Sequence, residues 1–180
     1  MDNKKLVYNG FIKIFREGHF EIAQVTDSVA ILIYDNSTQQ IVLIKQQRYP
    51  MKSNANPQGY LLEVPAGRRD INCTVKQLIV KEVEEEVGIK ITENNILLLN
   101  NGIPLALSPG VLTEKMFLAY VEVDSSQIEK EERQFGNVNE NEKIQRVFMS
   151  INELSGMVFE DMKTFLLVKW FLFNRMPKIN

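Results

Sequence analysis

Residues 67–89 read GRRDINCTVKQLIVKEVEEEVGI, and the rest of the chain is best read outward from this stretch. From Thr74 to Val87 the spacing predicts a helix. Val75, Ile79, Val83 and Val87 form an i, i+4 apolar stripe, and Gly88 is a residue type on which helices commonly stop. A helix advances about 100° per residue, so Glu86 lies roughly 40° from Glu82, and Glu85 roughly 60° from it on the other side. Glu84 points about 200° away, towards solvent. Three carboxylates therefore share a face that borders the apolar stripe. Crowding them costs free energy by mutual repulsion and raises at least one pKa, unless a cation sits among them. For an all-oxygen donor set the natural cation is Mg²⁺ or Mn²⁺. Taken alone, an EEE run more often describes a solvated acidic face, so its neighbours must decide.

Upstream, two β-branched runs, Val29–Tyr34 and Ile41–Lys45, flank the polar turn Asp35-Asn36-Ser37-Thr38 and predict a hairpin. Residues 50–59, PMKSNANPQG, predict a surface loop, followed by a short strand from Tyr60 to Val64. Before these, Leu6 to Val25 alternates around the Glu17-Gly18 turn and predicts an N-terminal hairpin region, residues 1–27, set apart from a main domain, residues 28–180. Downstream, strands are expected at Ile96–Leu99, Met116–Val123 and Ile144–Met149. A final helix over Glu160–Asn174 carries apolar residues around so much of its circumference that burial on more than one side is expected.

Composition narrows the chemistry. The 180 residues suffice for one catalytic domain, and a formal charge of −2 provides no broad field for nucleic acid or an anionic membrane. One cysteine, Cys73, excludes an internal disulfide; one histidine, His19, excludes the usual His/Cys zinc clusters and leaves carboxylates as the catalytic groups. Neither residue receives a chemical role: His19 reads as a turn residue and Cys73 as a small loop side chain. MDNKKLVYNG has no apolar core of a signal peptide, and the apolar run Phe165–Phe173 is broken by Lys169, so a cytoplasmic location is expected.

The segment from Gly67 to Ile89 resembles the Nudix box, Gly-x5-Glu-x7-Arg-Glu-U-x-Glu-Glu-x-Gly-U with U aliphatic. Gly67, Glu82, Val83, Glu85, Glu86, Gly88 and Ile89 fall in place, whereas Cys73 and Lys81 stand where the family has a Glu and an Arg that pair to brace the loop. LLEVPAG, Leu61–Gly67, resembles the strand and turn entering the box in ADP-ribose pyrophosphatases and related nucleotide-sugar hydrolases. KQQR at Lys45–Arg48, SPG at Ser108–Gly110 with Glu114, Glu140-Asn141-Glu142 and the terminal helix resemble further segments of that subfamily.

The resemblance, which covers roughly residues 29–172, implies an α/β/α sandwich around a mixed sheet, hence an α/β fold. It implies a Mg²⁺ site, with Mn²⁺ as substitute, built from the Ala66 carbonyl, Glu82 and Glu86, with Glu85 as a further ligand or orienting group. Glu140 or Glu142 would be the catalytic base, and Arg48, Pro109, Gly110 and Glu114 would border the substrate. The reaction implied is hydrolysis of ADP-ribose to AMP and ribose 5-phosphate, with GDP-mannose or a UDP-sugar as the alternative substrate. A nucleotide-binding Nudix protein without activity is the rival of another class, motivated by Cys73 and Lys81. The same resemblance makes the N-terminal region a dimerising element, so a homodimer is expected.

Overall fold

The computed structural model describes residues 4–130, 133–137 and 142–175. Among them, the N-terminal region forms a three-stranded antiparallel sheet, β1 (Lys5–Asn9), β2 (Lys13–Glu17) and β3 (Phe20–Gln24). A hairpin was expected; the extra turn falls at Gly10–Ile12, where apolar Phe11 and Ile12 hide it from a hydropathy pattern. β3 leans on the main body through Ala23 N–H to the Val111 carbonyl, 2.7 Å, and Thr113 N–H to the Ala23 carbonyl, 3.1 Å.

The main sheet is mixed. β4 (Ser28–Asp35) pairs parallel with β10 (Lys115–Val123), while β5 (Gln40–Gln47) runs antiparallel between β4 and β11 (Ile144–Ser150). β8 (Ile96–Leu98) extends the sheet beyond β10, and the short β9 (Leu105–Ala106) also pairs with β10. Every residue of β4 is buried, as expected of a strand covered on both faces. Val29, Ile31 and Ile33 pack with Leu78, Ile79, Val83 and Val87 of α1 (Val75–Val87), whereas Ala30, Leu32 and Tyr34 pack with Leu167, Val168 and Phe171 of α3 (Met162–Arg175). The period-two alternation of a strand thus feeds two cores, and the result is the expected α/β/α sandwich. A short helix, α2 (Ile151–Ser155), joins β11 to α3.

The terminal helix departs from expectation. One face is buried, but Phe165, Leu166 and Phe173 stay exposed, Phe173 at 75%. Apolar content around the helix exceeds what a single sheet face can cover. Among the described residues, no helix is long and apolar enough to cross a membrane.

One irregularity places the site. β4 and β5 pair only at the hairpin end, Ile33–Asp35 with Gln40–Val42, and then diverge. The gap is filled by residues 60–68: β6 (Tyr60–Glu63) pairs with β5, and β7 (Ala66–Arg68) pairs with β4. Pro65, between them, lacks an N–H and offers its carbonyl to Ile31 N–H at 2.9 Å. This wedge delivers Ala66 and Gly67 beneath α1.

Candidate active site

Helix α1 is firmly delimited. Thr74 Oγ1 accepts from Gln77 N–H and the Gln77 side chain accepts from Thr74 N–H, a reciprocal capping box. Gly88 ends the helix in the left-handed region, φ 63°, where its neighbours Phe135 and Glu129 would meet any added Cβ. As the angular reading predicted, Glu84 is exposed, and Glu82 and Glu86 turn inward, 8% and 2% exposed. Gly67 is the floor on which Glu82 rests: a Cβ there would collide with the Glu82 carboxylate. Ala66 N–H donates to Glu86 Oε2 at 2.9 Å.

These groups border a cavity of about 510 Å³. Ala66, Glu82, Glu85, Arg48, Glu114 and Glu142 line it, all of them positions singled out in the sequence. Glu86 lies behind Ala66. Pro109 and Gly110 are exposed outside the lining; their turn, closed by Val111 N–H to the Ser108 carbonyl, instead presents residues 111–113 to β3. Glu140 lies outside the described residues. Glu142 is fixed by Asn137 N–H at 3.2 Å and lies 3.5 Å from Gln46 Nε2. Glu114 accepts from the Ser28 hydroxyl at 2.6 Å.

Electrostatics set the cavity apart from an ordinary polar cleft. Among the described residues, six lining carboxylates, Asp70, Glu82, Glu85, Glu114, Glu142 and Asp161, face four lining cations, Arg48, Arg68, Lys81 and Lys163. Burial pushes Glu82 up to about 7, with Glu85 and Glu142 adding repulsion against the opposing pull of Lys81. Burial also raises Glu86 well above the ordinary carboxylate range, and the charges of Glu82 and Glu142 add to that despite the Ala66 bond. Lys81 Nζ lies 2.8 Å from Glu85 and 3.3 Å from Glu82, so the residue replacing the box arginine acts as a resident counter-cation. The Lys81 ammonium and the minor pull of Arg48 on Glu86 leave the buried pair undercompensated. Among the described residues, no three His, Cys, Asp or Glu side chains already converge as a ligand cluster. Lys81 ties two of the glutamates to itself and Ala66 N–H ties the third. The donor set itself, carboxylates and a nearby backbone carbonyl with unrelieved negative charge, fits a hard divalent cation.

Sequence reasoning missed three features. Glu63, only 1% exposed, binds Arg48 through both oxygens and also Lys163. Phe11 from the N-terminal sheet reaches the rim, with the Arg68 guanidinium 4.4 Å from its ring centre. Arg69 grips the loop before α1 by two bonds to the Cys73 carbonyl, 3.0 and 2.8 Å, which supplies a brace where the box Glu–Arg pair is absent. In each case the partners are brought together by tertiary or loop geometry; only the Glu of LLEVPAG gave a signal, as a charge inside an apolar strand.

The fold and the carboxylate helix define a Nudix pyrophosphohydrolase. A NUDIX domain family model matches residues 25–168, and the chain belongs to that family. It is 30% identical over 153 residues to the GDP-mannose pyrophosphatase of Cronobacter sakazakii, covering 83% of this chain and 75% of that protein. It is likewise 30% identical over 154 residues to the GDP-mannose pyrophosphatase of Citrobacter koseri, with the same coverage. Identity to the enzyme of that name from an Enterobacter species is 34% over 107 residues; that match spans 59% of this chain and about half, 53%, of the relative.

Proposed function

We propose that this protein hydrolyses the diphosphate bond of a nucleoside diphosphate sugar in a reaction dependent on Mg²⁺ or Mn²⁺. The observation that carries this reading is the buried, undercompensated pair Glu82 and Glu86 beside a cavity in which, among the described residues, lining carboxylates outnumber cations. An anionic diphosphate cannot enter such a cavity favourably without bringing positive charge. The Ala66 carbonyl, Glu82 and Glu86 would hold the cation, with Glu85 as an additional ligand once released by Lys81. Bound there, a divalent ion supplies charge neutralisation at the diphosphate oxygens.

The chain's own residues do the rest. Glu142 or Glu140 takes the proton from the attacking water as its oxygen bonds to phosphorus, and the bridging P–O bond breaks with its electrons leaving on the departing phosphate. Arg48 offers guanidinium donors to the substrate phosphates, and Glu114 borders the substrate.

The names of the relatives, both GDP-mannose pyrophosphatases, support GDP-mannose as the first substrate to test, with GMP and mannose 1-phosphate as the products it would give, ahead of ADP-ribose, the compound favoured by the sequence motifs. They also favour turnover over nucleotide binding alone. A panel of GDP-mannose, ADP-ribose, UDP-glucose and NADH, each with and without Mg²⁺, tests the proposal. Metal-dependent hydrolysis of one nucleoside diphosphate sugar above the others is expected; binding without turnover across the panel would refute it.

For quaternary structure we propose a homodimer formed through residues 1–27. Tyr8, Phe11 and Phe20 are exposed on a three-stranded sheet too small to bury its own apolar surface. Light scattering should give twice the 20.8 kDa chain mass; a monomer at working concentration would reject the dimer.

A further inference from the structure

A second groove, of about 690 Å³, lies at β11, the edge strand of the main sheet, and shares no lining residue with the catalytic cavity. Among the described residues its charged lining groups are Lys45, Arg133, Lys143 and Arg146, four cations and no carboxylate. The catalytic cavity shows the opposite balance, and the chain as a whole carries a formal charge of −2. Positive charge is therefore concentrated in this groove against the trend of the molecule.

Aromatic rings and backbone carbonyls hold these cations in place. The Arg146 guanidinium lies 4.8 Å from the ring centre of Phe135 and 5.2 Å from that of Phe148, and it donates to the Val87 carbonyl at 2.6 Å and the Glu129 carbonyl at 2.8 Å. Both acceptors are neutral, so they orient the guanidinium without cancelling its charge. Glu129, from outside the lining, binds Arg133 through both carboxylate oxygens at 3.0 and 3.1 Å, which leaves positive charge in excess among the described residues. Lys45 and Lys143 are exposed. Lys143 lies two positions before Gln145, the residue opposite Lys45 across the β5–β11 pair, so both lysines sit at the same end of that pair. Beside them the rings of Tyr60 and Phe148 are 42% and 36% exposed, with Lys45 Nζ 5.3 Å from the Tyr60 ring centre.

Like charges gathered in a groove repel, and an anion bound among them relieves that repulsion. Partly exposed rings next to the cations add a face on which a planar base can stack. A ligand that satisfies both is a nucleoside phosphate. We propose that this groove is a nucleoside phosphate site separate from the catalytic cavity, with Lys45 and Lys143 on the phosphate and the ring of Phe148 under the base. Lys143 follows Glu142 directly in the chain, and Phe135 pairs with Ile144 through reciprocal backbone bonds of 2.9 and 3.0 Å. A ligand in the groove thus touches the segment that carries Glu142.

The test is a calorimetric titration of the full-length protein with GMP, inorganic phosphate and guanosine in EDTA. Without metal the catalytic cavity, in which carboxylates outnumber cations among the described residues, disfavours a phosphate, so the groove is read alone. GMP should bind wild type at one site, more tightly than inorganic phosphate or guanosine, and less tightly as salt rises. Lys45→Glu and Phe148→Ala should each weaken GMP about tenfold, the first by reversing a charge and the second by removing the stacking face. For inorganic phosphate only Lys45→Glu should matter. Arg68→Met, which takes a cation from the catalytic cavity, should leave GMP binding unchanged. GMP bound no more tightly than inorganic phosphate, groove variants that bind GMP like wild type, or a loss in Arg68→Met instead, would overturn the assignment. The inference stands apart from the diphosphate reading: a wild type that cleaves nothing in the substrate panel refutes that reading and leaves this titration to decide the groove.

Discussion

Glu63 and Glu86 are buried to the same degree, 1% and 2% exposed, yet their charges fare in opposite ways. For Glu63 burial would raise the pKa, but the Arg48 hydrogen bonds and the nearby Lys163 outweigh it and hold the carboxyl below its ordinary value. Glu86 has one backbone N–H, two repelling glutamates and only a minor pull from Arg48, and burial wins. Burial alone therefore does not say whether a carboxylate is structural or chemical; the partner set does. A buried acid with its cations built in holds the fold together, whereas one without them is a site waiting for a cation.

Substitution by glutamine should separate the two most sharply. Glu86→Gln is expected to lower turnover about a thousandfold or more, since it removes a metal ligand rather than a packing group; near-normal turnover would remove Glu86 from the site. In the same variant, melting of the metal-free protein at pH 8 should be unchanged or higher, because an uncompensated buried charge is gone. Glu63→Gln should act the other way and cost about 3 kcal/mol of stability by leaving Arg48 and Lys163 without their buried partner. Denaturant midpoints of the two variants that shift in the same direction would break the comparison.

The pH dependence follows with opposite signs. Glu82 titrates near 4.5 when unfolded and about 7 when folded, and Glu86 is raised likewise. Between those values the folded state holds more protons, so the metal-free protein should lose stability as pH rises from 4.5 towards 7. Glu63, with its folded pKa below 4.5, contributes stability that is present above that value and lost as pH falls through the folded pKa. Urea midpoints measured from pH 4 to 8 should therefore peak on the acidic side, and Mg²⁺ should lift the alkaline arm alone. The smallest effect concerns Lys81, whose side chain is 36% exposed. Lys81→Met should tighten Mg²⁺ binding about threefold by removing a competing cation, a gain limited by solvent screening. Weaker binding in a calorimetric titration would show that Lys81 assists the metal rather than competes with it.

The sequence made one half of this comparison visible. Glu82, Glu85 and Glu86 could be placed on one face because a helix fixes angles from spacing, and Thr74 and Gly88 mark its ends locally. The β-branched run of β4 likewise announced a strand. The Glu63 cluster was not legible: Glu63 and Lys163 lie 100 positions apart, and no periodicity brings them together. The splay of β4 from β5, which carries Ala66 under α1, depends on competing pairings that neither strand's composition encodes. The turn at Gly10–Ile12 and the exposed face of α3 escaped for a related reason, since apolar content shows what wants cover and not how much cover the fold provides.

The most direct test of a cation site at Glu82 and Glu86 is the thermal melt of wild type and Glu86→Gln at pH 8, each with and without Mg²⁺ or Mn²⁺. Metal at about a hundredfold excess over Kd should stabilise wild type by about 2.7 kcal/mol, visible as a rise of several degrees in Tm, and should leave Glu86→Gln nearly unmoved. An equal rise in both proteins, or none in wild type, would contradict the account.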